Sequence, residues 1–385
     1  MIDLKTYGIT MWDDDKIKSF RRTLLHWYHN EKRDLPWRHT KNPYHIWVSE
    51  IMLQQTQVVT VIPYYERFLQ WFPTIKDLAQ ADEERLLKAW EGLGYYSRVR
   101  NMQAAAQQIM QDFGGEFPST HKDILSLKGI GPYTAGAIAS IAFNLPEPAV
   151  DGNVMRVMAR LFEVDYDIGD PKNRIIFQTI MSILIDPKEP GDFNQALMDL
   201  GSDIESAKNP RPEESPIRFF NAAYLHGTMD KYPIKLPKKK PKPIYVEAFI
   251  IQNEEGQFLL EKNTKGRLLA GFWSFPLIET EQVAKQLSLF DEADEADDPL
   301  IIKEQKERFE TLYHLHPKWT ERDFPIVKHT FSHQKWHLTI REGRVDSSTL
   351  AKEDQTAWVA KEDFEDYPFA TPQKKLCQEY FKRID

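Results

Sequence analysis

Leu127-Lys128-Gly129-Ile130-Gly131-Pro132-Tyr133 is the stretch that decides how this chain folds. Its two glycines allow tight backbone approach and positive φ, which residues with side chains avoid. Pro132 suits the first turn of a helix, where a missing N–H is no loss. The flanking periodicity predicts helical segments over 120–127 and 132–143. A turn of this kind leaves amide N–H groups exposed, and these can cradle one phosphate without reading base sequence. It would serve equally as a plain connection between packed helices.

Working outward, residues 13–230 read mostly as helices, punctuated by Pro36, Pro43, Pro63, Pro73 and Pro118. Glu50 lies inside the apolar run Ile46-Trp47-Val48-Ser49-Glu50-Ile51-Met52-Leu53. A carboxyl in such surroundings is desolvated and its pKa rises, which is what a general acid near neutral pH requires. Glu50, Gln54 and Gln57 fall at i, i+4 and i+7, one stripe of a helix that could wall a cleft. The same spacing fits a surface stripe with Glu50 solvated. Asp151-Gly152-Asn153 precedes an amphipathic helix over 154–162. Asp151 can cap it, and the amides of the first turn are expected to keep the carboxylate ionised. Capping alone is the plainer role. Glu50 protonated and Asp151 ionised would be two carboxylates tuned apart.

A chain of 385 residues is long for one core, and two or three domains are expected. No apolar run approaches membrane-spanning length, and Met1-Ile2-Asp3-Leu4-Lys5 is not a signal peptide, so a cytoplasmic protein is expected. The single cysteine, Cys377, excludes an internal disulfide framework and a four-thiolate metal site. Residues 244–385 hold 19 Lys+Arg and 27 Asp+Glu, which is the whole chain's net charge of −8. Residues 1–243 are therefore neutral overall and can carry a basic face. The later part would approach phosphates only through a restricted patch. Much of its acidity sits in 291–298, a solvated loop by composition.

Lys235-Leu236-Pro237-Lys238-Lys239-Lys240-Pro241-Lys242-Pro243 reads as an extended basic linker, 235–243. Beyond it Val246, Ala248 and Ile250 alternate with other residues, and Asn253-Glu254-Glu255-Gly256 suggests a hairpin turn. Further strand-like runs cover 325–331, 336–341 and 356–360. Helices are expected near 281–288, 301–315 and 372–383. There is no internal repeat. This is a smaller α+β domain, 244–385.

Together these segments resemble the adenine DNA glycosylases of the MutY family, within the helix-hairpin-helix glycosylase superfamily. The likeness rests on Leu35-Pro36-Trp37-Arg38, on 47–57, on Glu91-Gly92-Leu93-Gly94-Tyr95-Tyr96-Ser97-Arg98, on the hairpin and on Ala149-Val150-Asp151-Gly152-Asn153, in the family's order and spacing. It implies an all-α catalytic domain of two helical lobes over 1–234, with the helix-hairpin-helix near 120–143, followed by a Nudix-like α+β domain. It implies an enzyme that flips adenine from a mispair with 8-oxoguanine or guanine in double-stranded DNA and hydrolyses its N-glycosidic bond. By resemblance Glu50 and Asp151 are catalytic, and Tyr133 and Asn153 position them and the sugar. Arg38 matches a residue near the adenine pocket. Gly129 and Gly131 belong to the phosphate-binding hairpin. Gln55, Thr56, Leu93 and Tyr95 match residues that enter the duplex beside 8-oxoguanine, though Leu93 would also suit buried packing. Phe331-Ser332-His333 matches the lesion-sensing loop and would also suit a polar hairpin.

Gly271-Phe272-Trp273-Ser274-Phe275-Pro276 carries the Nudix likeness, but no glutamate-rich magnesium-binding helix follows it, so phosphohydrolase activity is not expected. Endonuclease III-like glycosylase/lyases, the alternative, place a lysine where Tyr133 stands; a phenol forms no Schiff base, so monofunctional action is expected. A monomer, associated with the nucleoid when bound to DNA, is also expected. One departure stands out. Most of the family holds a [4Fe–4S] cluster on cysteines spaced C-x6-C-x2-C-x5-C. Here those positions carry Glu205, Pro212, Ser215 and Asn221, so no cluster and no other cofactor or metal is expected. Phe219, Phe220 and Tyr224 are expected to pack in its place, with Arg211 and Arg218 supplying phosphate contacts.

Overall fold

Several helices in the first part of the chain begin or end where the sequence supplies a cap. Asp13, Asn42, Thr120 and Asp151 each accept a first-turn amide with a side-chain oxygen, and Pro43 and Pro132 occupy first helical positions. Asn144 and Glu163 close helices in the left-handed conformation. In chain order the helices are α1 (Asp14–Glu31), α2 (Pro43–Leu53), α3 (Val58–Trp71), α4 (Ile75–Gln80), α5 (Glu83–Ala89), α6 (Ser97–Asp112), α7 (His121–Ser126), α8 (Pro132–Phe143), α9 (Gly152–Phe162), α10 (Arg174–Leu184), α11 (Pro190–Asp203) and α12 (Ala222–Leu225).

The computed structural model describes residues 2–237, 240–264, 266, 268–280, 299–346 and 355–384. The helix expected near 281–288 and the acidic loop at 291–298 lie outside the described residues. Packing divides the chain into two units, Met1–Gln80 with Arg100–Lys238, and Ala81–Val99 with Lys239–Asp385. Thus α5 and the start of α6 pack with the C-terminal residues.

In the first unit one core joins α1, α9, α10 and α11 through Phe20, Leu24, Val157, Met158, Phe177 and Phe193. Around α2 and α8 the packing is different. α2 buries Ile46, Trp47, Val48, Ile51 and Met52, and α8 buries every residue from Thr134 to Ile141. Small residues let α8 sit this deep. A Cβ on Gly136 would stand 2.0 Å from the Pro148 carbonyl oxygen. At the hairpin Gly129 holds φ +77, whereas Gly131 has φ −95 and is the N-cap of α8. Only the first glycine therefore needs its conformational freedom, which narrows the sequence expectation for the pair.

The second unit is built on β1 (Lys242–Gln252), whose first two residues fall inside the stretch read as linker. β2 (Phe258–Lys262) and β4 (Leu277–Glu279) pair with it antiparallel. β3 (Trp273–Ser274) extends the sheet from β2, and β5 (Lys318–Trp319) and β6 (Val327–Thr330) lie on β7 (Gln334–Arg344). β7 runs parallel to β1 from Lys242↔Gln334 to Gln252↔Arg344, and β8 (Thr356–Val359) pairs with β2. β1 is buried on both faces. Val246, Ala248 and Ile250 meet Leu376 and Tyr380 of the helix Thr371–Ile384, while Phe249 and Ile251 meet Phe309 and Tyr313 of the helix Pro299–Tyr313.

Gly136→Ala is expected to destabilise the first unit by about 1–3 kcal/mol, because a backbone carbonyl cannot step aside as a side-chain end can. The measurement is thermal unfolding. A melting temperature unchanged by the methyl group would mean that α8 does not sit against Pro148.

Candidate active site

α2 carries Glu50 into the interior of the first unit, where it is 6% exposed. Opposite it, the second residue of α8 supplies a phenol. Tyr133 donates from Oη to Glu50 Oε2 at 2.6 Å, and its oxygen also lies 3.7 Å from Met198 Sδ of α11. Burial lifts the Glu50 pKa to about 7; the Tyr133 bond lowers it, the charge of Asp151 raises it, and Arg38 lowers it. The surface-stripe alternative is thereby removed. The three-residue stripe itself is corrected. α2 ends at Leu53, Gln54 is extended, and Gln55 turns left-handed at φ 60. Gln57 therefore belongs to the start of the next helix, and Gln54 reaches sideways to Thr134 Oγ1 at 3.4 Å.

Asp151 caps α9, and its two oxygens have different work. Oδ1 accepts the Val154 amide at 2.7 Å and Oδ2 accepts the Asn153 side-chain amide at 2.9 Å. Burial raises its pKa above the usual aspartate value, while the Val154 and Asn153 amides, Arg156 and the Asn153 side chain lower it. The net direction is opposite to the one expected from helix amides alone. Desolvation was the missing contribution, and the neighbouring Asn153 is packed against α11. Gly201 of α11 lies so near Asn153 that an added Cβ would stand 2.8 Å from the Asn153 Cβ.

Two residues that the sequence reading passed over organise this region. Arg156 donates to Asn153 Oδ1 at 2.7 Å, to the Gly201 carbonyl at 2.7 Å and to the Glu205 carbonyl at 2.8 Å. An arginine only donates, so it fixes the Asn153 amide with its NH2 group toward Asp151. Asp199 is 4% exposed and accepts from both Arg33 and Arg38, the Arg38 bond measuring 2.7 Å. Arg38 is held over the Tyr28 ring, 5.5 Å from its centroid, and acts on Glu50 by charge. Periodicity offered no signal for either: helical spacing puts Arg156 away from the stripe of Val154, Val157, Met158 and Leu161, and Asp199 away from that of Phe193, Ala196, Leu197 and Leu200, so both read as solvent-facing charges.

The remaining expected residues fall into three settings. Thr56 is half-buried beside the exposed Gln55 at the exit of α2, and Gly129 and Gly131 form the hairpin. In the second unit, Tyr95 is 46% exposed with φ 48, and its hydroxyl lies 3.0 Å from Ser332 Oγ. Ser332 and His333 are exposed, and Phe331 stacks edge-on against His329 and Trp336. Leu93 is corrected: at 7% exposure it packs inside, as its alternative reading allowed. Phe219 is corrected as well. It is 68% exposed beneath Arg218, and only Phe220 joins the core, against Trp12 and Phe20.

The four positions that match the cluster cysteines do not fit a [4Fe–4S] cluster. The Glu205 carboxylate, wholly buried, takes Arg160 at 2.8 Å and the Asn221 amide at 3.2 Å. Asn221 Oδ1 caps Tyr224 at 3.1 Å, Pro212 offers no side-chain donor atom, and the Ser215 hydroxyl is buried with no hydrogen-bond partner among the described residues. The single thiol, Cys377, belongs to the other unit, and burial pushes it up to about 12. Arg211 is engaged by Glu214 and Arg218 by the Glu213 carbonyl. His29, Glu189 and Asp192 cluster within reach of a cation, yet His29 already bonds both acids, at 3.0 and 3.3 Å.

Tyr133→Phe removes the hydrogen bond that lowers Glu50 and leaves its burial. The Glu50 midpoint is expected to rise above about 7. Carboxyl-carbon NMR titration of labelled protein reads it directly, and a midpoint that fell or stayed fixed would contradict the geometry.

A family profile, the HhH-GPD superfamily base excision DNA repair protein, matches residues 48–182, and a NUDIX domain profile matches residues 247–379. The adenine DNA glycosylase of Arabidopsis thaliana is 39% identical over 310 residues, covering 70% of this chain and 49% of that protein. The adenine DNA glycosylase of Rattus norvegicus is 32% identical over 426 residues, covering 94% of this chain and 78% of that one. Among solved structures, a thermostable thymine-DNA glycosylase superimposes with TM-score 0.50 at 27% identity, over 58% of this chain and all of that chain. No described helix is long and apolar enough to cross a membrane. With a shielded acid, a capped aspartate and a hairpin arranged on one helical unit, and relatives matched along nearly its whole length, the chain belongs to the adenine DNA glycosylase family of base excision repair enzymes, hydrolases of N-glycosyl bonds.

Proposed function

We propose that this chain releases adenine mispaired with 8-oxoguanine, or with guanine, from double-stranded DNA, acting as a monofunctional glycosylase and a monomer in the cytoplasm, on the nucleoid. The observation that carries this reading is Glu50, buried, lifted to about 7 and held by Tyr133 at 2.6 Å. Near neutral pH such a carboxyl still holds its proton for a sizeable fraction of molecules. It donates that proton to a ring nitrogen of an extruded adenine, and the pair of electrons of the glycosidic bond leaves with the base. The sugar becomes cationic at C1′. Asp151 stabilises that charge, water adds to C1′, and the proton that water loses passes to solvent, from which Glu50 is reprotonated. Asn153 holds Asp151 from the side, and Arg38 flanks the base. Gly129 and Gly131 present amides to a phosphate. By the family likeness Gln55 and Thr56 of the first unit contact the strand opposite the adenine, and, in the second unit, Tyr95, Phe331, Ser332 and His333 are assigned to the opposite base. The 3.0 Å approach of Tyr95 to Ser332 supports placing those two at one feature of the lesion strand.

Single-turnover release of adenine from an 8-oxoguanine:adenine duplex tests the chemistry. Glu50→Gln is expected to slow it by about 10²–10⁴-fold, the usual range for a general acid. Ser332→Ala is expected to leave guanine:adenine release alone and to narrow the preference for 8-oxoguanine. Borohydride should trap no stoichiometric adduct, because Tyr133 offers no amine. Equal rates for wild type and Glu50→Gln would end the general-acid assignment.

We also propose that the enzyme works without an iron–sulfur cluster, residues 204–224 being held by the Arg160–Glu205–Asn221 group. Purified protein should contain no stoichiometric iron. Glu205→Ala should cost about 3–5 kcal/mol of stability, since it leaves Arg160 charged and buried without its partner. Stoichiometric iron, or a Glu205→Ala protein as stable as wild type in urea, would overturn it.

A further inference from the structure

The second unit holds more acid than base, yet its lysines are not spread evenly. β6 and β7 form a hairpin whose connection carries Phe331, Ser332 and His333, and Lys328↔His337 and Thr330↔Lys335 face each other across it. Side chains of a strand alternate, so Lys328, Thr330, Lys335 and His337 share one face. Lys328 is exposed and Lys335 half-buried. The basic segment that enters β1 arrives at the same place. The Lys242 amide donates to the His333 carbonyl at 3.0 Å, and Lys242 lies opposite Gln334 in the parallel pair, so it borders the same loop from the other face of the sheet. Beside the edge of β6 that faces away from β7, Lys375 donates to the Lys328 carbonyl at 3.0 Å, and Lys328, Lys375 and Lys382 line a groove of about 360 Å³ with Glu379.

Two acids of this region are matched by arginines. Glu379 bonds Arg383 at 3.2 Å, and Glu247, on the strand beside β7, bonds Arg341 at 2.7 Å. Two histidines register the resulting field. His337 is lowered by burial and then by Lys335 and Lys328, and His329 is pushed down to about 4 by burial and then by Lys375. A positive face on a domain of negative net charge is the restricted patch through which such a domain can meet a polyanion. Its occupant is set by continuity: the lysines flank the loop that carries Ser332, on both strands and on the incoming segment.

We infer that Lys328 and Lys335 on one face of the sheet and Lys242 on the other flank the loop as a track and hold, on either side of it, the phosphodiester backbone of the DNA strand whose base faces Ser332. This inference rests on the proposed lesion-reading role of that loop. The contacts are to phosphates, so the track adds affinity and register without base preference. It lets Ser332 interrogate a strand already held on either side of it.

The experiment compares full-length wild type with the variant Lys242→Gln/Lys328→Gln/Lys335→Gln, and with a charge-matched control, Lys303→Gln/Lys306→Gln/Lys318→Gln. Binding to an 8-oxoguanine:adenine duplex is measured across a salt series, and adenine release is measured on the same preparations at saturating enzyme. Each lost phosphate contact lowers the log–log salt slope by about 0.9, so the track variant should lose about 2 to 3 in slope and bind tenfold or more weakly at moderate salt. Its release rate at saturation should match wild type, and the control should match wild type throughout. An unchanged slope in the track variant overturns the inference, as does an equal fall in the control, which would reflect net charge alone. Wild type that binds with the full slope but releases no adenine would fail the glycosylase reading while leaving the phosphate track standing.

Discussion

A carboxyl group without water is the constraint around which the first unit is arranged. Burying an ionised carboxylate is costly enough that the group takes up its proton instead. Glu50 shows this, and the packing around α2 explains why. Trp47, Val48 and Met52 are wholly buried, so the helix presents no wet face on which a charge could rest. What tunes the group lies within a few side chains. Tyr133 favours the charged form by donating, Arg38 favours it by charge, and Asp151 opposes it. The balance leaves the proton poised near neutrality rather than locked on. Arg38 is itself kept in place by Asp199 and by the face of Tyr28, so its orientation is not free to drift with solvent.

A second polar chain begins at Asp151 and runs away from Glu50. It passes through Asn153 to Arg156, and from Arg156 to the Gly201 and Glu205 carbonyls, where Arg160 and Asn221 join it. Each link is a donor-only or fixed-amide contact, so the orientation of one member sets the next. Buried ion pairs contribute little net stability against an apolar alternative, because both partners lose their hydration. They contribute geometry. In this chain the segment after α11 is tied to α9 by charge and hydrogen bonds, and the same tie ends on the aspartate that caps α9.

The fold was readable from the sequence wherever local rules act alone. Pro132 and Gly131 marked the start of α8, Asp151 marked α9, and the turn at Asn253–Gly256 separated β1 from β2. Glu50 and Asp151 were readable because a charge in an apolar run, or just before a helix, is unusual. What escaped depends on tertiary burial. The pKa of Asp151 moves up because its surroundings desolvate it, which a helix-end rule does not contain. Gln57 left the Glu50 stripe because Gln55 adopts a left-handed backbone that periodicity cannot foresee. Leu93 and Phe219 exchanged expected settings because exposure is decided by what packs on a loop. Arg156 and Asp199 look like ordinary helix charges until their partners, distant in sequence, are placed.

Backbone strain adds an independent line of argument. A residue with a side chain at positive φ is disfavoured and persists where its surroundings hold it. Asn144 and Glu163 spend that strain on closing helices. Gln55 and Tyr95 do not; each sits in a loop, exposed. Tyr95 projects a large aromatic ring toward solvent while Trp90 and Tyr96 on either side are buried. Its hydroxyl meets Ser332, and the neighbouring Glu91 accepts the Phe369 amide at 2.9 Å, so α5 and its following turn are fastened to the sheet unit. An aromatic ring held away from its own core on a strained, anchored turn, with the Arg98 guanidinium over it, uses backbone strain for its placement rather than for closing a helix, which is the observation that supports the role proposed for Tyr95.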